Sequence, residues 1–283
     1  MVLALARLLA ALPLSVLHRL GALCGRLVYL AAPRYRLCLR ANLRAAGYSE
    51  AALLGQAVTE AGKSLLELPA IWLRPHETVA AWVVQVTGWD LVEAALAQRC
   101  GIIFLTPHLG CFEITAQYYA FRAPARVPLT ALYRSPKNQA LVPLMLAGRN
   151  RPNLRLASAD LKGVRVLLRA LKRGEAIGIL PDQAPGVGEG EWAEFFGRPA
   201  YTMTLAGRLA EASGAQTLLA YAARLPRGRG YHLHLQAMPA PLAGETPART
   251  LNRALEGLIR LCPGQYGWGY NRYKIPAGAR APE

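Results

Sequence analysis

The sequence predicts an α/β fold, with a mixed, mostly parallel central sheet flanked by helices and a helical N-terminal segment ahead of it. Three observations lead there. From about Val79 onward, short apolar runs alternate with helix-length segments, the pattern of a sheet covered on both faces. Near the end two β-rich runs, TLLAYAARL and YHLHLQAM, follow each other closely and supply the antiparallel part of a mixed sheet. Hydrophobic residues make up 53% of 283 residues, enough to bury a sizeable core.

In chain order, residues 1–75 form an apolar and basic helical segment and residues 76–283 an α/β domain. The first stretch, MVLALARLLAALPLSVLHRLGALCGRLVYLAAPRYR, is apolar, but Arg7, His18, Arg19 and Arg26 interrupt it. Its longest uncharged run, Leu8 to Leu17, is shorter than the roughly 20 residues of a clean transmembrane helix. Up to Tyr48 there are seven arginines and no acidic residue, which fits an anchor on an anionic membrane leaflet, either spanning it or lying on it. The alternative is a buried first helix followed by a solvated basic one. Residues 34–73 read as helical. The strands then expected are VVQVTG, GIIFLT, VPLTALYR, LRLAS and AIGIL, each followed by a helical segment except the last. After AIGIL comes a long glycine-rich loop, then a helix over TMTLAGRLAEASG, the late strand pair, and a helix from about Thr246 to Leu261.

The formal charge of +16 points to an anionic partner: nucleic acid, an anionic membrane, or an acidic protein or substrate. Arginine-rich base composition accounts for part of the bias. No zinc finger or RNP motif supports nucleic acid. The five cysteines are widely spaced and never form a C-x-x-C pair, which argues against a disulfide framework and fits a reducing compartment.

The stretch GIIFLTPHLGCFE carries the chemistry. His108 follows an apolar strand and Glu113 stands five residues on. Five residues turn a helix by about 140°, so the two meet only if His108 sits in the turn and Glu113 in the first helical turns. Pro107 and Gly110 suit such a break, and ligands bind at the C-terminal ends of strands in open α/β sheets. There the helix dipole keeps the imidazole neutral, a carboxylate fixes its tautomer, and a substrate hydroxyl is the proton source. The plainer reading is a helix-capping histidine followed by a first-turn acid. No G-x-S-x-G surrounds any serine, which leaves a serine-hydrolase elbow unsupported. Cys111 reads as a small buried thiol, with an acyl carrier as the alternative. His232 and His234 share a strand face; packing is the first reading and a metal site with His108 the second.

Three further stretches stand out. In ALYRSPKN, Tyr133 precedes Arg134, Lys137 and Asn138, giving either an anion site at a helix start or a solvated loop. LPDQ places Asp182 and Gln183 at a strand end. Trp192, Phe195 and Phe196, further along, either line an acyl groove or pack in the core. CPGQYGWGYNRYK mixes aromatics with Arg272 and Lys274, suited to a membrane-facing or a nucleic-acid surface.

Together these blocks resemble the bacterial lipid A biosynthesis acyltransferases of the lauroyl and myristoyl type, in the lysophospholipid acyltransferase-like group. TPHLGCFE resembles the family's T-x-H-x-G-N-W-E block, LYRSPKN its Y-R-x-x-K-N block, LPDQ with FFGRPAYT its D-Q…F-F-G-x-x-A-x-T block, and PGQYGWGYNRYK its terminal block. Cys111 and Phe112 stand where Asn-Trp is usual, and Tyr266 where Trp is usual. The resemblance implies a glycerolipid acyltransferase-like fold, with His108 as general base and Glu113 as its orienting partner. It further implies that Arg134 and its neighbours, with Gly110, Tyr133, Lys137, Asn138, Asp182 and Gln183, line the substrate site. It implies an acyl donor on acyl carrier protein, with coenzyme A the lesser alternative, and a hydroxyl of a lipid A precursor or related glycolipid as acceptor. It implies no metal or other cofactor, no nucleic-acid partner, and a place at the cytoplasmic face of the inner membrane. A backbone N–H near Gly110 is the expected oxyanion donor. The rival readings are a thioester or lipid hydrolase and a non-enzymatic basic membrane- or nucleic-acid-binding protein.

Overall fold

A computed structural model describes residues 2–133, 142–149 and 151–280. The N-terminal segment is four helices, α1 (Val2–Ala11), α2 (Leu14–Ala31), α3 (Pro33–Ala45) and α4 (Ala51–Leu73). The helical stretch expected over 34–73 is therefore two helices. Gly47, at φ +85, closes α3 as a left-handed cap: its N–H donates to the Arg44 carbonyl and the Tyr48 N–H to that of Leu43, the paired bonds of a Schellman ending.

The packed face of α2 is Leu14, Leu17, His18, Gly21 and Gly25, a stripe of helical period. It lies against α4 at backbone contact. A Cβ on Gly62 would sit 2.0 Å from the Gly21 carbonyl oxygen, and one on Gly25 2.2 Å from that of Val58. The opposite face leaves Leu20, Leu23, Leu27 and Leu30 exposed.

The short α5 (His76–Ala81) leads into the α/β part. Its elements are β1 (Val83–Thr87), α6 (Trp89–Gln98), β2 (Ile102–Leu105), α7 (Phe112–Arg122), β3 (Leu129–Tyr133), α8 (Val142–Arg149), β4 (Leu154–Ser158), α9 (Leu161–Lys172), β5 (Ala176–Ile179), β6 (Gly190–Phe195), β7 (Arg198–Met203), α10 (Leu205–Ser213), β8 (Gln216–Arg224), β9 (Tyr231–Ala237) and α11 (Pro247–Leu261). The main sheet runs β1-β9-β8-β2-β5-β3-β4. Every pairing in it is parallel except β8 with β9. This is the mixed, mostly parallel sheet expected, covered by a hydrophobic cluster on each face. The central strand β2 is buried throughout, as a strand covered on both sides should be.

One element departs from expectation. The glycine-rich stretch after β5 folds in part into the hairpin β6–β7. Phe196 and Gly197 both have positive φ, +48 and +73, as a two-residue hairpin turn requires. Thr202 and Met203 therefore belong to β7, and α10 starts only at Leu205. Phe195 and Phe196 are buried in the core, the packing reading, whereas Trp192 is half-buried and its indole N–H donates to the Arg280 carbonyl. The C-terminal stretch departs too. Trp268 and Arg272 are buried, with the guanidinium donating to the Tyr201 carbonyl, Thr202 Oγ1 and Asn252 Oδ1. Arg272 thereby ties the hairpin to α11, while Lys274 and Ile275 stay exposed.

Candidate active site

His108 and Asp182 meet because of the sheet register. In the parallel pair β2–β5, Ile102 faces Ala176 and Leu105 faces Ile179. The Thr106 N–H extends the ladder to the Ile179 carbonyl. Carried three residues past each strand, the same offset aligns His108 with Asp182 (179 − 105 = 182 − 108 = 74). Asp182 Oδ2 accepts from the His108 backbone N–H at 2.9 Å, and Oδ1 lies 2.8 Å from the ring Nδ1. One carboxylate thus fixes both the turn and the imidazole. That leaves Nε2 clear of the carboxylate, with the Gln183 amide nitrogen 3.4 Å from it.

The sequence points to Glu113 as the partner, and here the structure differs. Glu113 does sit in the first turn of α7, but its carboxylate is turned toward α4 and α8. It accepts from the Trp72 indole N–H at 3.1 Å and from Arg149 Nε at 3.2 Å, with a second ion-pair contact to Arg149 Nη2. His108, in the turn before the helix, packs its ring on Phe112 at 4.8 Å between centroids.

The electrostatics follow from these contacts. Burial works against the imidazolium, yet the Asp182 charge and hydrogen bond outweigh it, with Glu113 adding a smaller push, so the His108 pKa is raised above 6.5. Burial works against the Asp182 carboxylate as well, and His108 overcomes that to lower its pKa. The helix dipole expected to favour the neutral imidazole is thus opposed by a carboxylate 2.8 Å away, which raises the pKa.

Two backbone N–H groups after His108 are already paired. The Gly110 N–H donates to the Gln265 carbonyl and the Cys111 N–H to the Ala222 carbonyl, at 3.0 and 2.8 Å. Neither is available as the oxyanion donor expected there. Gly110 has φ +60, and a Cβ on it would lie 2.0 Å from the Ala222 oxygen, so glycine is required. Cys111 is a buried thiol whose pKa burial raises well above 9.0, which disfavours the thiolate an acyl carrier would need.

The remaining site residues divide. Tyr133 ends β3, while Arg134, Lys137 and Asn138 lie outside the described residues. The rings of His232 and His234 lie 3.8 Å apart and His234 stacks on Tyr221. Among the described residues no group of three His, Cys, Asp or Glu is placed to hold a metal. A small cavity beside Glu113 and Arg149 is walled by Phe104, Phe112, Leu129 and Leu154. Trp72 and Arg149 escape sequence reasoning, because their partnership with Glu113 has no local signature.

Comparison with known proteins covers nearly the whole chain. The family of bacterial lipid A biosynthesis acyltransferases matches residues 1–275. The chain is 27% identical over 276 residues to the lipid A biosynthesis lauroyltransferase of Escherichia coli K12, covering 94% of this chain and 88% of that one. It is 28% identical over 221 residues to the lipid A biosynthesis palmitoleoyltransferase of the same strain, covering 77% and 70%.

Proposed function

Because the chain belongs to the bacterial lipid A biosynthesis acyltransferase family and is thus an acyltransferase acting in lipid A biosynthesis, we propose that it uses His108 to move a fatty acyl chain from a thioester, carried by acyl carrier protein, to a lipid A precursor hydroxyl. The observation that carries this reading is the His108–Asp182 contact at the end of β2 and β5. His108 Nε2 takes the proton of the acceptor hydroxyl as its oxygen attacks the thioester carbonyl. The ester C–O bond forms, the C–S bond breaks, and the imidazolium returns the proton to the departing thiolate. Asp182 holds Nδ1–H and stabilises the imidazolium between the two steps. Glu113, locked by Arg149 and Trp72, adds negative charge near the same ring. Gly110 shapes the turn, Gln183 and Tyr133 border the reacting nitrogen and the strand end, and Arg134, Lys137 and Asn138 hold the phosphorylated acceptor or the donor.

The test is acyl transfer from acyl carrier protein thioester to a lipid A precursor, followed by mass spectrometry of the product. Appearance of free fatty acid without acylated lipid would favour hydrolysis instead. A pH series sharpens the test. The base works when neutral, and its pKa is raised, so kcat/KM falls as pH drops, with the acid limb centred above the ~6.5 of free histidine. An acid limb at or below that value would remove His108–Asp182 as its source.

The same reading sets the site at the cytoplasmic face of the inner membrane, and the surface of α1–α3 supports it. Leu3, Leu5, Leu8, Leu23, Leu27, Leu30 and Leu37 are exposed apolar side chains, and Arg7, Arg19, Arg26, Arg34, Arg40 and Arg44 are exposed among them. The helix α2 is long and apolar enough to cross a bilayer. Its glycine contact with α4 favours lying in the interface, with the leucine face in lipid. Leu23→Glu combined with Leu27→Glu is expected to cut binding to anionic phosphatidylglycerol vesicles at least ~tenfold in a flotation assay, since each buried leucine contributes about 1.5–3 kcal/mol. Unchanged flotation would place the anchor elsewhere.

A further inference from the structure

Beneath the His108 turn lies a buried polar network that the reaction as written does not use. Arg224, the last residue of β8, is 5% exposed. Its guanidinium donates through Nε and Nη2 to both oxygens of Glu67 on α4, with Nη2–Oε1 at 2.6 Å, and through Nη2 to Ser64 Oγ. A further bond leaves the network: Nη2 donates to the Gly110 carbonyl at 2.8 Å. Glu67 in turn holds the Tyr231 hydroxyl and contacts His18 Nε2 of α2 at 3.1 Å. The backbone of Arg224 is tied just as firmly. Its N–H donates to Gln265 Oε1 and its carbonyl accepts from Gln265 Nε2, while the Gln265 carbonyl accepts from the Gly110 N–H. Both polar atoms of the Gly110 backbone, two residues beyond His108, are therefore held by the Arg224–Gln265 unit.

We propose that Arg224 is a positioning residue for acyl transfer: by gripping the Gly110 carbonyl from a guanidinium anchored on Glu67, it fixes the turn that aims the His108 imidazole. A stability role alone is served by the Glu67 contacts. The contact with Gly110 adds a charged side-chain anchor to a turn that Asp182 holds at the His108 N–H and ring, and that Gly267, Gln265 and Ala222 hold through backbone bonds at His108, Gly110 and Cys111. Gly110 itself has a left-handed conformation at backbone contact with Ala222, a geometry that a glycine does not hold unaided because its backbone is the most permissive. The chain of contacts continues through Glu67 to His18, so the turn is referenced to α2 and α4 as well as to the sheet.

The inference rests on His108 being the base, and the experiment separates the two. Arg224→Met combined with Glu67→Gln removes both charges together, while the new amide keeps an acceptor for Tyr231 and His18. Arg224→Lys keeps the charge and reaches either Glu67 or Gly110 with one ammonium. Both are assayed per folded molecule, with the folded fraction from circular dichroism and His108→Ala as control. The expected result is a kcat about 100-fold lower in the double variant and about tenfold lower in Arg224→Lys, the scale of a loss from ångström misplacement. KM for the thioester stays within about threefold, since the turn aims the base and does not bind the donor. A kcat within about threefold of wild type in the double variant, or a loss confined to KM, overturns the inference. If the double variant does not fold, Arg224→Lys decides by the same criterion. An active His108→Ala would instead overturn the base assignment itself, whereas an inactive one beside fully active Arg224 variants would sink the positioning role alone.

Discussion

Replacing His108 by alanine is expected to lower kcat by about 10²–10⁴-fold, the usual contribution of a positioned general base, with little change in thioester KM. Asp182→Asn is expected to fall in the same range, and the reason is atomic. The native carboxylate accepts two hydrogen bonds at once, from the His108 backbone N–H and from the ring. An amide has a single acceptor oxygen, so one of the two donors must face its NH₂ group. If the ring does, the imidazole is driven to the tautomer with the proton on Nε2 and cannot act as a base. If the backbone does, the turn itself shifts. Glu113→Gln should cost less, about tenfold, because its side chain bonds Trp72 and Arg149 and reaches His108 only through its field. The measurement is kcat for the three variants in one acyl-transfer assay. A Glu113→Gln variant as inactive as His108→Ala, beside a mild Asp182→Asn, would return the orienting role to Glu113.

That ordering bears on what the sequence can and cannot tell. The alternation of strands and helices is legible because each strand is a short apolar run between turn residues, and all seven strands of the main sheet lie where such runs fall. The hairpin is hidden because glycines and prolines punctuate residues 181–200 and mask the short alternating pattern on its two strands. The position of His108 is legible as a strand end. Its partner is not, because a local spacing, five residues to Glu113, offers a carboxylate close by and competes with any long-range candidate. The signal lies in two similar segments: FLTPH and GILPD both end an apolar strand with a proline followed by the residue that joins the pair, His108 or Asp182. Once β2 and β5 are neighbours, their register sets His108 opposite Asp182. Arg224 has no such cue, since its partners come from α4, the His108 turn and the C-terminal segment.

The largest effect on stability is expected at Glu67. The carboxylate and the Arg224 guanidinium are each 1% exposed, and burial would by itself disfavour the charge on both. In Glu67 the opposing charge of Arg224 and the hydrogen bonds from His18 and Arg224 prevail, bringing its pKa from 4.5 to about 2. Glu67→Leu leaves the guanidinium buried with, among the described residues, only the more distant Glu60, 3.4 Å away, as its counter-charge. It also removes the acceptor of the Tyr231 hydroxyl. Breaking one side of such a pair costs about 3–5 kcal/mol, which in a domain of this size lowers the melting temperature by on the order of 10 °C. The pH dependence has a defined sign. The unfolded chain takes up a proton at Glu67 near 4.5 and the folded chain only near 2, so protons favour unfolding. Stability from this group is complete above 4.5 and is lost as pH falls from there toward 2. Thermal melts of wild type and Glu67→Gln across that window check it: the wild type should lose its advantage over the variant as the medium becomes more acid. A constant difference across the whole window would show that the pair stays ionised in the unfolded chain, or that its charge carries no net stability.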